Sequence, residues 1–244
     1  MDNDSKQPRL SLSRGKSSVR IVDGYVWKVS ARAEPLFIRE HPDIFVPVLE
    51  MIGGNPCAFK MPLYEEPDIY HDREIALMGG LQKLKELWLE TSSKKTAWKT
   101  NLRSHLYSQV LEYKLDISPT LINEIISALP ECDTPKQIHG DATLANLIYN
   151  EGQWFWIDPL QRPFIPGDPH VDLGKMLQSC WDYEKVLLGE DSPGFDRDLA
   201  KKLATSAQLE FYAAWNWCVI HIIRLLPYQD RRVRGIYERV LNSL

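Results

Sequence analysis

Two carboxylates and one amide at fixed spacing form the strongest candidate site in the sequence. The segment His139–Asn146 has the pattern H-G-D-x-x-x-x-N, so Asp141 and Asn146 stand five residues apart. Asp158 comes twelve residues after Asn146, at the end of the strand-like stretch Trp154–Ile157. A loop followed by a hairpin can bring these three side chains to one point, and Mg²⁺ prefers such hard oxygen donors. Phosphoryl transfer needs this combination, since one carboxylate must sit beside the acceptor hydroxyl while the others hold the metal at the phosphates.

The first sixty residues, which must position part of such a site, have mostly strand-like patterns. Asp23-Gly24 between two apolar stretches is a strong signal for a two-residue hairpin. A short helix is predicted at 33–41, before Pro42. The predicted strands are Arg9–Ser13, Val19–Val22, Tyr25–Val29, Val46–Met51 and Ala58–Pro62.

After Pro67 the apolar residues follow helical spacing. Ser118-Pro119 is a typical helix start, a capping residue followed by proline in the first turn. The predicted helices lie near 75–88, 102–111, 119–129, 171–186, 196–226 and 230–243, with one hairpin formed by Leu147–Tyr149 and Trp154–Ile157. The order indicates the α+β class, with a small antiparallel β lobe at 1–62 and a larger helical lobe at 63–244.

Three segments carry a resemblance to a known family. His139–Asn146 and Ile157-Asp158-Pro159 resemble the catalytic loop and metal segment of the aminoglycoside phosphotransferase and choline kinase families, and Gly167–Lys175 is similar to the next segment of the bacterial members. The resemblance implies a protein-kinase-like two-lobe fold and an ATP-dependent small-molecule kinase. It further implies that Asp141 is the catalytic base and that Asn146 and Asp158 are Mg²⁺ ligands.

The same resemblance suggests how the β lobe would hold the nucleotide. Lys28, inside the apolar strand pattern Val26–Val29, resembles the kinase lysine that binds the α- and β-phosphates. An ordinary solvent-facing strand lysine is the alternative. Its acidic partner on the next helix is expected to be Glu40, with Glu34 as the second choice.

Further nucleotide contacts are expected from a loop and a hinge. The loop Ser13–Ser18, including Ser17 and Ser18, would cover the phosphates with backbone N–H groups. Met61 and Leu63 would contact the adenine at the crossover between the lobes. Gly15-Lys16-Ser17 also matches the end of a P-loop, but position 10 is leucine rather than glycine and a strand pattern comes next.

Two further residues near the predicted catalytic loop have alternative interpretations. His139 is expected to hold the loop by hydrogen bonding rather than to transfer protons. Asp172 either caps the start of a helix or braces the catalytic loop, and we favour the cap. Pro159-Leu160 stands where protein kinases have Phe-Gly, which suggests a permanently assembled site.

Composition argues against several other classes of protein. The net charge of −4 provides no basic field for nucleic acid. The four cysteines form no CxxC pair and are expected to be unpaired thiols in a reducing compartment. No apolar segment is long enough to span a membrane, and residues 1–18 are polar and basic. We therefore expect a cytoplasmic protein without nucleic-acid or membrane partners.

The expected acceptor is a small molecule with a hydroxyl group, and the similarity at 167–175 favours a sugar or polyol. The alternatives are an aminoglycoside- or choline-type kinase, or a catalytically inactive kinase-like module that binds nucleotide. The absence of Phe-Gly and of an Ala-Pro-Glu segment argues against a protein kinase. Candidate acceptor-lining residues, each of which could equally be a core or surface residue, are Arg162, Asp168, Trp181, Asp182, Trp215 and Trp217.

Overall fold

The computed structural model describes residues 18–31, 33–64, 73–93, 95–160, 162, 164–189, 194–242 and 244. The chain divides into two compact units. The first contains residues up to Pro67 together with Ile148–Ile157, and the second contains Asp68–Leu147 and Asp158–Leu244. The predicted strand at Arg9–Ser13 and the loop before Ser18 lie outside the described residues.

The first unit is built on a four-stranded antiparallel sheet. Its strands are β1 (Ser18–Val22), β2 (Tyr25–Ser30), β3 (Glu50–Ile52) and β4 (Cys57–Pro62), in the order β1-β2-β4-β3. Asp23 and Gly24 both have positive φ angles, of 51° and 75°. Two residues in this conformation form the tight turn that matches strand twist, so the predicted hairpin is confirmed.

One helix and one hairpin complete the first unit. Helix α1 (Ala33–Glu40) follows β2, and strands β5 (Leu147–Asn150) and β6 (Gln153–Trp156) form a two-stranded hairpin. Trp156, which is fully buried, fixes β6 through its backbone. Its N–H donates to Ile44 O at 2.8 Å, and its carbonyl accepts from Val46 N–H at 3.1 Å. The predicted strand at 46–51 is therefore shortened to Glu50–Ile52. Pro47 has no N–H to donate to a sheet, which explains why the ladder begins later.

The second unit is helical. Its helices are α2 (Arg73–Leu87), α3 (Trp98–Tyr113), α4 (Pro119–Ser127), α5 (Pro169–Cys180), α6 (Tyr183–Leu188), α7 (Arg197–Ala207), α8 (Phe211–Leu225) and α9 (Arg231–Leu241). The Ser118 side chain accepts from Thr120 N–H, so the predicted cap of α4 is confirmed. A small antiparallel sheet and a larger helical part are both present, as the sequence predicts.

Two long predicted helices are each divided into two. Asp182 and Gln208 have positive φ angles of 50° and 59°, which no α-helix accommodates. The 171–186 stretch therefore splits into α5 and α6, and the 196–226 stretch into α7 and α8. Glu210 caps α8 by accepting from Tyr212 and Ala213 N–H.

Helix α5 is the central element of the second unit and is buried along almost its whole length. It packs closely on α8, because a Cβ atom at Gly174 would lie 2.5 Å from Trp217 Cβ and 2.8 Å from Cys218 N. Only glycine permits this approach of two helix backbones. The contact fixes α5, which carries two of the side chains that organise the candidate site.

The described residues bear on two expectations from the sequence, that the cysteines are unpaired and that no segment spans a membrane. In agreement with the sequence-based expectation, no disulfide joins the four described cysteines, Cys57, Cys132, Cys180 and Cys218. Within the described part of the chain, every helix is too short or too polar to span a lipid bilayer.

Candidate active site

The segment from His139 to Asn146 is a loop that ends in a 3₁₀ turn over Leu144–Asn146. The Asn146 amide Nδ2 donates to Asp141 O at 2.8 Å and to Asp141 Oδ2 at 3.2 Å. The predicted contact between these two residues is therefore present. Both bonds use the amide nitrogen, which leaves the amide oxygen of Asn146 as the atom that can bind a cation.

His139 supports this loop from its buried position. Its Nδ1 accepts from the backbone N–H of Asp141 at 3.1 Å, which requires that nitrogen to be unprotonated. The ring is fully buried. His139 therefore holds the loop by hydrogen bonding, in agreement with the sequence-based interpretation.

Asp172 braces the loop from helix α5. Its Oδ2 accepts from His139 N–H at 2.9 Å and its Oδ1 accepts from Gly140 N–H at 2.6 Å. The indole N–H of Trp88 also donates to Oδ2, at 3.0 Å. Burial raises the pKa of Asp172 to about 6, although these three hydrogen bonds act in the opposite direction.

The preferred interpretation of Asp172 as a helix cap is therefore wrong. The residue that caps α5 is Asp168, whose side chain accepts from His170 N–H at 3.0 Å. Asp172 lies one turn further along the helix, where its carboxylate faces the loop instead of the helix end. The sequence held a signal for this cap, because Asp168 is followed by Pro169 in the same way as Ser118 is followed by Pro119. It held none for the brace, because the partners of Asp172 lie more than thirty residues earlier in the chain.

The segment that contains Asp158 runs directly beside the same loop. Leu160 N–H donates to His139 O at 2.7 Å, and Asp158 itself has a positive φ of 57°. The two chains are so close that a Cβ atom at Gly140 would lie 2.1 Å from Leu160 O. Gly140 has a φ of +81°, so both its conformation and its surroundings require glycine. The backbone thus joins the loop of Asp141 to the segment of Asp158.

Lys175 is the charged partner of Asp141. Its Nζ lies 2.9 Å from Asp141 Oδ1, and its side chain is only 4% exposed whereas that of Asp141 is 32% exposed. Loss of hydration raises the pKa of Asp141, but the charge and hydrogen bond of Lys175 outweigh this effect and the net pKa is lowered. Asp141 is consequently held as a carboxylate. The sequence signal for Lys175 was only its position one helical turn after Asp172.

The side chains of Asp141, Asn146 and Asp158 fit Mg²⁺ in chemistry. Two carboxylates and one amide oxygen are hard ligands of the type that Mg²⁺ binds. Among the described residues, no three His, Cys, Asp or Glu side chains group around a metal position. A site formed by Asp158 and Asn146 would not form such a group, because one of its ligands is an amide and the nucleotide phosphates supply others.

In the first unit, Lys28 lies in the middle of β2, paired with Val19 of β1 and Phe59 of β4. It is 5% exposed, which excludes the alternative of a solvent-facing strand lysine. Its Nζ donates to Glu34 Oε1 at 2.7 Å. A buried lysine of this kind needs such a partner to remain charged.

Glu40, our first choice as the partner of Lys28, is therefore corrected to Glu34. Helix α1 begins at Ala33, directly after β2, so its first turn faces the middle of that strand. Glu40 is the last residue of the helix and is exposed.

Four other predicted nucleotide contacts remain predictions. Ser17 lies outside the described residues, and Ser18 is the exposed first residue of β1. Met61 is buried in β4. Leu63, which is 43% exposed, comes after β4 and donates its N–H to Gly24 O at 3.2 Å.

Most of the candidate acceptor residues have structural roles. Asp168 caps α5, Asp182 pairs with Arg73 at 2.7 Å, and Trp217 is fully buried in the core. Trp181 and Trp215 contact each other with ring centroids 5.0 Å apart. Together with Phe195, Arg197, Phe211, Tyr212, Val240 and Leu244 they line an apolar cavity of about 390 Å³.

Several solved structures that are similar in fold to this chain are small-molecule kinases. The chain is similar to a choline/ethanolamine kinase family protein from Mesorhizobium loti, with a TM-score of 0.56 and 11% identity over 93% of this chain and 77% of that one. It is also similar to a glucosamine kinase in complex with glucosamine, ADP and inorganic phosphate (TM-score 0.53, 12% identity, 93% and 78% covered). An aminoglycoside-3'-phosphotransferase of type VIII gives a TM-score of 0.51 at 14% identity, with 84% and 87% covered.

The similarity is one of fold and not of sequence. No family model matches the chain, and no curated protein matches it. The structural neighbours nevertheless confirm the expected architecture, which is that of the protein-kinase-like small-molecule kinases.

Proposed function

We propose that this protein is a small-molecule kinase that transfers the γ-phosphate of ATP to a hydroxyl group of a sugar or polyol. The observation that carries the proposal is the contact of Asp141 with Asn146, in a loop that is hydrogen-bonded to the segment of Asp158. The kinase fold of the structural neighbours supports it. The similarity of Gly167–Lys175 to bacterial kinase-like proteins favours a sugar or polyol.

In the proposed reaction, Asp141 accepts the proton of the acceptor hydroxyl. The acceptor oxygen forms a bond to the γ-phosphorus as the bond from that phosphorus to the β-phosphate oxygen breaks, giving ADP and a phosphate monoester. Asp141 can accept the proton because it is ionised beside Lys175. Proton acceptance by a positioned group typically contributes about 10²–10⁴-fold to the rate.

Other residues are proposed to bind the nucleotide. Asn146 and Asp158 would hold Mg²⁺, which when bound neutralises charge on the β- and γ-phosphates. Lys28, oriented by Glu34, would pair with the phosphates, and Ser18, Met61 and Leu63 would add contacts. A supply of ATP and four free thiols fit a cytoplasmic location.

The direct test is transfer of radiolabelled γ-phosphate to a panel of sugars, polyols, amino alcohols, aminoglycosides and peptides. We expect wild type to label at least one sugar or polyol in the presence of Mg²⁺. Asp141→Ala should lower turnover by about 10³-fold or more while changing the ATP dissociation constant by less than about threefold.

Asp198→Ala is the matched control, because Asp198 is an exposed aspartate of α7 away from the loop. It should retain wild-type turnover. Unchanged turnover in Asp141→Ala would contradict the role of Asp141. A wild-type protein that binds ATP but neither transfers nor hydrolyses it would be an inactive nucleotide-binding module instead.

A further inference from the structure

The helical unit has an excess of positive charge beside Asp141. Lys175 lies 2.9 Å from Asp141 Oδ1. Arg224, in the last turn of α8, is close enough to Asp141 that the two charges interact, which favours the charged form of each. Asp141 therefore forms its ion pair with Lys175, and its charge acts on Arg224 only at longer range.

Arg224 is partly desolvated and is held by an aromatic ring and a histidine. Its guanidinium carbon lies 5.4 Å from the centroid of the Phe164 ring, and its Nη1 lies 3.0 Å from His221 Nδ1. Within the described residues no acidic group forms an ion pair with it, and its buried Nε has no hydrogen-bond partner. Burial lowers the pKa of Arg224 to about 10, so the group remains charged at neutral pH. A desolvated cation that has no ion pair among the described residues is costly, and the charge of Asp141 is already paired with Lys175, which favours a bound anion at this position.

A second arginine belongs to the same surface. The ring of His105 stacks on Phe164 with centroids 4.3 Å apart, and burial followed by the charges of Arg224 and Arg162 lowers the pKa of His105. Arg162 is exposed, and among the described residues its side chain forms no ion pair. Lys95 fixes its backbone by donating from Nζ to Arg162 O at 2.8 Å. We call Arg162, Arg224, His105 and Phe164 the Phe164 cluster.

We propose that the Phe164 cluster is an anion subsite for the phosphate acceptor, so that the acceptor carries a carboxylate or phosphate group in addition to its hydroxyl. The proposal rests on the function proposed above. Guanidinium groups bind carboxylate and phosphate through paired N–H donors, and Arg162 and Arg224 both have such donors available. Leu160, two residues before Arg162, donates its N–H to His139 O at 2.7 Å, so the chain that leads into the cluster runs beside the loop of Asp141.

The charge of the cluster also disfavours other acceptors. An aminoglycoside or an amino alcohol is a cation at neutral pH, and it would be repelled by Arg162 and Arg224. The phosphates of ATP are the other oxyanions that the cluster could bind. If the cluster binds the acceptor, replacing an arginine should change the KM for the acceptor. If it binds the phosphates of ATP, the same change should alter the KM for ATP, so kinetics separates the two cases.

The first experiment measures anion binding without turnover. Sulfate is titrated at constant ionic strength into protein saturated with magnesium and a non-hydrolysable ATP analogue, and the melting temperature is followed. The expected result is a sulfate-dependent rise in wild type that is at least halved in Arg162→Gln. Arg239→Gln, an exposed arginine of α9, is the matched control and should respond as wild type does. An equal rise in all three proteins, or none, overturns the proposal.

The second experiment compares matched acceptors: glucuronate and glucose 6-phosphate against glucose and glucosamine. The anionic acceptors should have a kcat/KM at least tenfold higher, and Arg162→Gln should raise the KM for the anionic acceptor about tenfold while leaving the KM for ATP unchanged, a change of about 1.4 kcal/mol. Arg224→Lys retains the charge at the buried position, so its kcat/KM for the anionic acceptor should fall less than that of Arg224→Gln.

The outcomes separate the two proposals. Equal use of glucose, glucosamine and glucuronate contradicts the anion subsite and leaves the kinase function intact. A rise in the KM for ATP alone assigns the arginines to the nucleotide and also overturns the subsite. Sulfate binding through Arg162 without any phosphoryl transfer supports the subsite and contradicts the kinase function.

Discussion

Lys175 Nζ and Asp141 Oδ1 lie 2.9 Å apart, which joins a buried helical lysine to the residue that we propose as the catalytic base. Lys175 also donates to Gln178 Oε1 at 3.2 Å, one turn later in α5. The lysine therefore fixes the position of the carboxylate as well as its charge. Helix α5 supplies both this contact and the Asp172 brace.

Lys175→Met should lower kcat by more than about tenfold while changing the KM for ATP by less than about threefold, because it removes the group that positions Asp141 but no nucleotide contact. Steady-state kinetics with melting curves will check this, since the site is buried. Lys201→Met, at an exposed position of α7, is the control. A loss confined to the KM for ATP would contradict the positioning role.

Gly140→Ala should be far more damaging than Gly152→Ala. Both glycines have similar positive φ angles, of 81° and 84°, so the conformational cost of about 1–2 kcal/mol is shared. Only at Gly140 would the new methyl group collide with a backbone atom, Leu160 O, whereas at Gly152 nothing lies within 4 Å. Urea denaturation should show an additional loss of roughly 2 kcal/mol or more for Gly140→Ala. Equal losses for the two variants would show that the loop and the segment of Leu160 are not in contact.

The buried carboxyl of Asp172 should make stability depend on pH. Its pKa is raised to about 6 in the folded protein, from about 3.9 in an unfolded chain. Between these values the folded state binds the extra proton, so the free energy of unfolding contributed by this group falls as pH rises from 4 to 6. The wild type should therefore lose stability relative to Asp172→Asn over this range, by roughly 1–3 kcal/mol. Denaturant titrations of both proteins at pH 4, 5, 6 and 7 measure the difference, and a constant difference would contradict the raised pKa.

Glu34→Gln should raise the KM for ATP by about tenfold, because it removes the charge that orients Lys28. Glu40→Gln, in the same helix but exposed at its end, should change it by less than about twofold. The comparison separates the two glutamates that the sequence leaves as alternatives. A larger effect at Glu40 would show that the Lys28–Glu34 pair does not serve nucleotide binding.

Local signals in the sequence were sufficient for elements that depend on neighbouring residues. Asp23-Gly24 marks its hairpin because the turn needs two residues with positive φ, and Ser118 marks the start of α4 by its own capping bond. The contact of Asn146 with Asp141 spans only five residues and was likewise predicted.

Contacts between distant parts of the chain could not be predicted from such local signals. Pro169 marks Asp168 as the cap of α5, but only the packing of α5 against the loop shows that Asp172 braces it. Arg162 and Arg224 are more than sixty residues apart, and the contact of Arg224 with the Phe164 ring is seen only in the folded chain. Helix breaks at Asp182 and Gln208 depend on single left-handed residues that apolar spacing does not reveal.

The most direct test of the central claim is the binding of Mn²⁺, as a spectroscopic substitute for Mg²⁺, to the protein saturated with an ATP analogue. Electron paramagnetic resonance should show at least about tenfold weaker Mn²⁺ binding in Asn146→Ala and Asp158→Asn than in wild type. The first variant lacks an oxygen ligand, and the second lacks the negative charge of a ligand. Asp198→Asn should bind Mn²⁺ as wild type does. Wild-type Mn²⁺ affinity in both ligand variants would contradict a metal held by Asn146 and Asp158.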